Sequence, residues 1–502
     1  MSALTSSNVT SGFIDLATFD EIEKYMYGGP DATAYFVRET RKSTWFTQVP
    51  VVLTKASGTP AFNQDWAVSI SRAGDYLLQS WLRLTTPSVT LTSAAGVAAG
   101  GNNKSIRWTR NFMHSIIKEC NVTFNDLVAA RFDNYHLDFW AAFTVPASKR
   151  NGYDNMVGNV SDLIDPTPAG VAIPAYTLNL PLPFFYGRDS GVALPTAALP
   201  YNEMRINFSF RDWTELLILS TDDEETNNVQ LSADGSQLSN GAPSLGTCQV
   251  WANYAIVSND ERKRMACAPR DILVEQVQTA PRSTFTPASN QQQSFDIRFS
   301  HAIKVLFFAV RNTTCKSEWS NYATSSPTVT TSGNSPVISF YPSASADPIV
   351  QTSLIYENTN RLSQMGSDYF SLVNPWFHAP TVPDFIGFHS YSYSLDFMSL
   401  DPMGSTNYGK LTNVSIVPEA STSAVAAASV TAINPGPSGS GYYQAQTFEF
   451  VVTCINNNII RVSGGKAPSV PQTVGCYKRC DISFMEKQCN ISPFQSTMIE
   501  CM

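Results

Sequence analysis

From Met204 to Phe210 apolar and polar residues alternate without a break: Met204, Ile206, Phe208 and Phe210 fall on one face, Arg205, Asn207 and Ser209 on the other. A period of two over this length fits a strand buried on one side and fits no helix. Ile206 and Phe208 are therefore expected to face a core while Arg205 and Asn207 point away from it. The stretch lies in a longer phrase, PYNEMRINFSF (Pro200 to Phe210), and a similar phrase, TNYGKLTNVSIV (Thr406 to Val417), returns in the second half of the chain. Aligning Tyr201 with Tyr408 leaves the apolar faces out of phase, and a one-residue offset or bulge restores them. A second pair of phrases keeps the same order. TFNDLVAARFDNYHLDFW (Thr123 to Trp140) and IYENTNRLSQMGSDYFSLVNPW (Ile355 to Trp376) each run from a strand end through a polar turn and a helix-like stretch to an aromatic cluster. The repetition predicts two β units of one kind.

Other strand-like segments, among them WFTQVPVVL, AVSISRAGDYLLQSWLRL, CQVWANYAIV, DILVEQVQ and SFDIRFSHAIKVLFFAVRN, are bounded by Gly, Pro, Asn or Asp. With 12% aromatic residues, 15% charged residues and 30 prolines, the composition favours many short strands over long salt-bridged helices. The 502 residues exceed what a single core serves. The expected fold is mainly β: two consecutive eight-stranded antiparallel jelly rolls with short helices and long loop insertions. The expected divisions are an N-terminal arm over residues 1–34, a first roll over 35–213, a polar linker over 214–246, a second roll over 247–465 and a Cys-rich tail over 466–502.

The arm carries Leu16, Phe19, Ile22 and Met26 at helical spacing and stops at Gly28 and Gly29, which predicts one short amphipathic helix. Its Asp20, Glu21 and Glu23 oppose an anionic membrane surface, so it is read as packing under its own domain or against a partner. The linker is the acidic, aperiodic TDDEETNNVQLSADGSQLSNGAPSLG. A short helix, SNDERKRM, follows with Ser258 as its N-cap. Three long insertions rich in small residues, Leu91 to Ser105, Thr324 to Pro336 and Glu419 to Gly441, suit an exposed surface.

A formal net charge of −8 argues against a general nucleic-acid surface, which needs many Lys and Arg facing phosphates. The opening MSALTSSNVTSG lacks the basic, apolar and small-residue order of a secretion signal. The most apolar run, Ala302 to Val310, contains Lys304 and is far shorter than the ~20 residues that span a bilayer. The chain thus reads as soluble and made inside the cell, and the sequons at Asn8, Asn121, Asn159, Asn207 and Asn312 as unmodified. There is no GxxxxGK[ST] loop, no GxSxG elbow and no HExxH helix. His114, His136, His301, His378 and His389 have no nucleophile or ligand partner at local spacing and are read as structural or surface residues.

Asp222, Asp223, Glu224 and Glu225 are consecutive, unlike the spaced ligands of a calcium loop, and are read as a solvated turn. Arg262, Lys263 and Arg264 are read as a solvated helix face. Cys120, Cys248, Cys267, Cys315 and Cys454 are scattered and read as reduced thiols. Cys476, Cys480, Cys489 and Cys501 lack paired CxxC spacing for zinc and are read as free thiols or contacts that oxidise outside the cell. No catalytic residue, cofactor or metal site is expected.

The phrases GFIDLAT, YMYGG, SRAGDYLL, TFNDL, GYDNMVGN, LPLPFF, RDSGVALP, LPYNEMRI, RDILVEQVQ, RFSHAIK, YENTNRL, GSTNYGKLTN and NNNIIR span about Ser11 to Gly465. They closely resemble the major capsid proteins of iridoviruses of the invertebrate-infecting kind. The resemblance implies two jelly rolls per chain and homotrimers shaped as pseudo-hexagons. It further implies an icosahedral shell of such capsomers around an internal membrane, assembled in the host cytoplasm with minor capsid and penton proteins. It implies no enzymatic activity and no contact with the genome, which the membrane separates from the shell. Family members end near the position of Gly465, so the tail is a departure. The rival reading is a carbohydrate-active β-sandwich enzyme or lectin, which needs two carboxylates about 5–10 Å apart in an aromatic cleft. No local motif announces such a pair.

Overall fold

The computed structural model describes residues 11, 13–27, 45–92, 104–199, 202–221, 224–229, 235–267, 270–289, 291–325, 328–332, 335–339, 345–429, 445–464 and 480–484. Two compact units are present, residues 1–45 and 46–502.

In the larger unit, Met204, Ile206, Phe208 and Phe210 are buried while Arg205, Asn207 and Ser209 are half-buried, as their alternation requires. The Met204–Phe210 strand runs antiparallel between Asp65–Ser69 and Ile117–Phe124, with Thr54–Gly58 and Leu127–Phe132 at the sheet edges. Phe208 stacks on Trp66 with ring centroids 5.4 Å apart. A facing sheet of Phe46–Val52, Cys248–Val257, Tyr76–Thr85 and Thr177–Pro181 sends Leu82, Leu84, Val250 and Leu180 into the same core.

The second roll repeats this order with four strands where the first has five, lacking a counterpart of Thr54–Gly58. Val414–Ala420 lies between Phe295–Asp296 and Ile349–Tyr356, with Thr359–Gly366 outside. The facing sheet runs Arg270–Thr279, Phe448–Gly464, Ala302–Asn312, His389–Ser392. Val414 and Ile416 are buried in the places of Met204 and Ile206, since Met204 pairs with Phe124 and Val414 with Tyr356, each just before its hairpin turn; the offset from the Tyr201/Tyr408 alignment is therefore three residues rather than one. The hairpins also correspond. One turns through Asn125 and Asp126 at φ 49° and 66°, the other through Glu357 and Asn358 at φ 46° and 63°. Two successive left-handed residues make the type I′ turn that matches strand twist. A helical segment follows each hairpin: Asn134–Thr144 in the first roll, and Tyr369–Val373 running into Asn374–His378 in the second. Asp133 caps the former by accepting the His136 N–H at 2.9 Å, and Pro146 lies just beyond its end.

The structure corrects several divisions. Cys248–Val257, expected in the second roll, lies between Phe46–Val52 and Tyr76–Thr85 of the first. Its alternation identifies a strand but carries no information about its partners. Within the expected linker, Leu217–Thr221 and Glu224–Val229 form a hairpin on Lys104–Trp108, and Leu238 is buried in the first core. In the expected tail, Cys480–Phe484 pairs with the end of Phe448–Gly464 and so extends the second roll. The insertions carry structure of their own: a Thr328–Ser332/Ser335–Ser339 hairpin and a Thr422–Ser429 helix.

The smaller unit holds two helical segments where one was expected, residues 13–17 and Glu21–Tyr27. The break comes from capping: Asp20 accepts the Glu21 N–H at 2.8 Å and starts a new helix. Leu16, Phe19, Ile22 and Met26 are all exposed. Gly28 and Gly29 lie outside the described residues, as do Asn8, Asp222, Asp223, Cys476, Cys489 and Cys501.

Candidate functional site: the seam between the rolls and its exposed counterparts

The Asn134–Thr144 helix of the first roll presents Tyr135, Phe139 and Phe143, one face at four-residue spacing, to the second roll. They pack on Val305, Phe307 and Ala309 of Ala302–Asn312 and on Val451 and Ile455 of Phe448–Gly464. The Phe307 ring stacks on Phe139 at 5.7 Å and on Phe143 at 5.2 Å. Ile303, Leu306, Phe308 and Val310 meanwhile point into the second roll's own core. Burial on both faces is why this strand reads as a continuous apolar run.

Charged groups close the rest of the seam. Glu275 receives Lys304 Nζ at 2.5 Å and Arg188 of the first roll at 3.2 Å, all three nearly buried. Lys304 also donates to the Ser399 carbonyl at 2.5 Å, and Arg188 lies over the Trp140 ring at 4.3 Å. Arg107 pairs with Glu318 across the seam, both buried. Trp319 is sandwiched between Arg211 at 3.4 Å and Arg311 at 4.0 Å, and its Nε1 donates to the Glu215 carbonyl at 3.0 Å. The two rolls are thus one body joined by a third core.

Two histidines acquire partners that local spacing could not show. His114 Nδ1 lies 2.8 Å from Asp138 Oδ1 and Nε2 2.7 Å from the Tyr153 hydroxyl. Asp138 Oδ2 accepts from Ser320 Oγ and the Tyr322 hydroxyl of the second roll, each at 2.9 Å. Ser320 touches the carboxylate rather than the imidazole, so the imidazole has no serine proton to take. His389 Nε2 lies 2.8 Å from both Asp347 Oδ2 and Ser367 Oγ, and Ser367 also donates to Asp347. A nucleophile relay needs serine and carboxylate on different ring nitrogens; here both share Nε2 while Nδ1 is buried without a partner among the described residues. Burial works to raise the Asp347 carboxyl, but the facing His389 and hydrogen bonds from His389, Ser367 and the Ile349 N–H hold it below its ordinary range. Both clusters tie segments together. His301 sits at φ 64° ahead of its strand, and His378 Nδ1 donates to the Leu395 carbonyl at 2.9 Å.

His136 is buried between Phe132 and Trp140, and burial, aided by Arg188, lowers its pKa from 6.5 to about 3. As pH falls below 6.5 the unfolded chain takes up this proton and the folded chain does not. The group's full contribution is therefore present above 6.5 and is lost toward 3, at about 1.4 kcal/mol per pH unit. Urea unfolding at about pH 7 and about pH 5 should show a loss of about 2 kcal/mol from this group. His136→Gln should remove that part of the slope; an unchanged slope would contradict the burial argument.

Arg262 and Lys263 are both exposed, as expected of a solvated face, and Arg262 in addition grips both Asp75 oxygens with its Nε and Nη2 at 2.7 and 2.9 Å. The side chains of Arg264, Glu224, Glu225, Cys267 and Cys480 lie outside the described residues. Cys120, Cys248, Cys315 and Cys454 are free thiols. Burial raises all four, Cys248 and Cys315 to about 12, which keeps them protonated and unreactive. Asn207 donates to Asn121 at 2.8 Å, Asn159 holds the Asn111 amide, and Asn312 is buried. Among the described residues no cluster of His, Cys, Asp or Glu could hold a metal ion.

Among the described residues of the larger unit, two apolar surfaces correspond to the two sides of the seam without being covered, and alternation alone did not reveal them. On the second-roll helix, Leu372, Val373, Trp376 and Phe377 are 54, 42, 74 and 72% exposed and, with Val382, line an apolar cleft. On the outer face of the first roll's sheet, Val52, Trp251, Trp81 and Pro181 form one cross-strand row. Trp81 and Trp251 stack at 6.2 Å.

The chain matches the family described as major capsid protein N-terminus over residues 34–257 and that described as large eukaryotic DNA virus major capsid protein over residues 261–468. The junction falls after the Cys248–Val257 strand, in agreement with its pairing. The chain is 65% identical to the major capsid protein of Tipula iridescent virus, over 93% of this chain and 98% of that one. It is 45% identical to that of Frog virus 3, again over 93% of this chain and 98% of the relative. Among solved structures, the fold is similar to the PBCV-1 virus capsid, with a TM-score of 0.64 at 19% identity, covering 85% of this chain and 97% of that one. It is also similar to the Faustovirus major capsid protein, with a TM-score of 0.59 at 10% identity, covering 88% and 94%. These neighbours share the double jelly roll.

Proposed function

Since the chain belongs to the major capsid proteins of large eukaryotic DNA viruses, we propose that it is the subunit of a pseudo-hexagonal homotrimeric capsomer. Such capsomers tile an icosahedral shell around an internal membrane, next to one another and to minor capsid and penton proteins. Synthesis and assembly take place in the host cytoplasm, and the work is non-enzymatic self-association without genome contact. The observation that carries this reading is the repetition of one strand order in two rolls joined by a buried seam. Three such chains present six like lobes, the shape that fills a hexagonal position. Among the described residues no helix is long and apolar enough to cross a membrane, in keeping with attachment by surfaces.

Light scattering coupled to size exclusion should give three chain masses for the purified protein. A single chain mass across the micromolar range would remove the trimeric reading.

A further inference from the structure

We infer that the Tyr369–His378 helical segment of one copy docks on the outer face of the first roll's Phe46–Val52/Cys248–Val257/Tyr76–Thr85/Thr177–Pro181 sheet in the next copy. The joint repeats between chains the one that exists within each chain. This rests on the trimeric reading and assigns the faces that would build it.

The argument starts from topological equivalence. Inside the chain, the helix after the first roll's hairpin covers the outer face of the second roll's Arg270–Thr279/Phe448–Gly464/Ala302–Asn312/His389–Ser392 sheet. The corresponding helix of the second roll and the corresponding sheet face of the first are the two pieces left open. They are unlike surfaces, one a helix and one a sheet face, so their contact is heterologous and propagates head to tail until the ring closes.

The chemistry of the open pieces matches the occupied joint. Leu372 with Trp376 and Val373 with Phe377 are pairs at four-residue spacing, as are Tyr135, Phe139 and Phe143 in the seam. Their exposure on a short helix is costly in isolation and unnecessary for the fold. The Val52–Trp251–Trp81–Pro181 row offers a flat aromatic receiver outside the first roll's core. Gln79 and Arg83 are exposed and Asn253 is half-buried on the same face, giving the apolar row a polar rim.

The test uses two variants of the full chain. The helix variant is Trp376→Glu with Phe377→Glu, both at highly exposed positions, and the sheet variant is Val52→Glu with Trp81→Glu. The unsubstituted chain should run at three chain masses and the helix variant at one, a threefold loss, with an unchanged far-ultraviolet circular dichroism spectrum. The sheet variant should also run at one mass. Mixing the two restores a single joint, sound helix to sound sheet, and should give a complex of two chain masses, an outcome a self-complementary contact cannot produce. A helix variant that stays at three masses overturns the proposed joint and leaves the trimer standing on other faces. An unsubstituted chain at one mass overturns both. If the sheet variant misfolds, the helix variant decides alone.

Discussion

Glu275→Ala is expected to destabilise the folded chain by about 3–5 kcal/mol, because it strands two cations in the seam. Lys304 is fully buried and its ammonium has Glu275 and the Ser399 carbonyl as partners. Arg188, 11% exposed, loses its carboxylate but keeps the Met398 carbonyl at 3.0 Å and the Trp140 face. The larger part of the loss should therefore lie with Lys304. Adding Lys304→Met to Glu275→Ala replaces the stranded charge with an apolar chain and should recover more than half of the stability. Urea titrations of the wild-type, single and double variants give the three values needed. If the double variant is as unstable as the single, the seam's charge balance is not what Glu275 maintains.

Phe208→Ala should cost about 3–5 kcal/mol through the cavity it opens. Phe208 is fully buried at the centre of its sheet, stacked on Trp66 and, at 5.8 Å, on Phe210. Both neighbours are held by their own strands and cannot collapse far into the gap. Asn207→Ala, one residue away on the opposite face, loses hydrogen bonds to Asn121 at 2.8 Å and Thr123 at 3.3 Å. At the half-buried site that is worth about 0.5–1.5 kcal/mol, more than an exposed polar residue but well short of Phe208. Equal effects on thermal unfolding would contradict the facing of this strand.

How far the sequence carried the fold depended on the range of the signal. Facing in Met204–Phe210 follows from nearest neighbours in the chain, and so does the turn at Asn125 and Asp126. The repeated phrases carried the double architecture because like text at like positions folds alike. Partnership does not have a local signature. CQVWANYAIV alternates equally well in either roll, and only its pairing with Phe46–Val52 and Tyr76–Thr85 places it. Arg262 is exposed as its sequence suggested, but its pairing with Asp75 was not legible because Asp75 is distant in sequence. Lys304 stood out as a charge inside an apolar run, but the need for a buried counter-ion named no residue, and Glu275 emerged only with the sheet. The arm's single helix failed on a local rule overlooked in favour of periodicity: Asp20 is a stronger helix start than Phe19 is a helix interior.

Apart from the short Cys480–Phe484 strand, the strand that reaches the ribosome exit last in each roll is a central one. Phe46 pairs with Val257, and Cys248–Val257 inserts between strands made far earlier; Phe448–Gly464 does the same between Arg270–Thr279 and Ala302–Asn312. During synthesis each roll is therefore left with an unfilled slot lined by open edges, the condition most prone to mispairing with other nascent chains. Closure across so long a span is slow. The order of synthesis thus places the vulnerable interval of each roll before its central strand has been made.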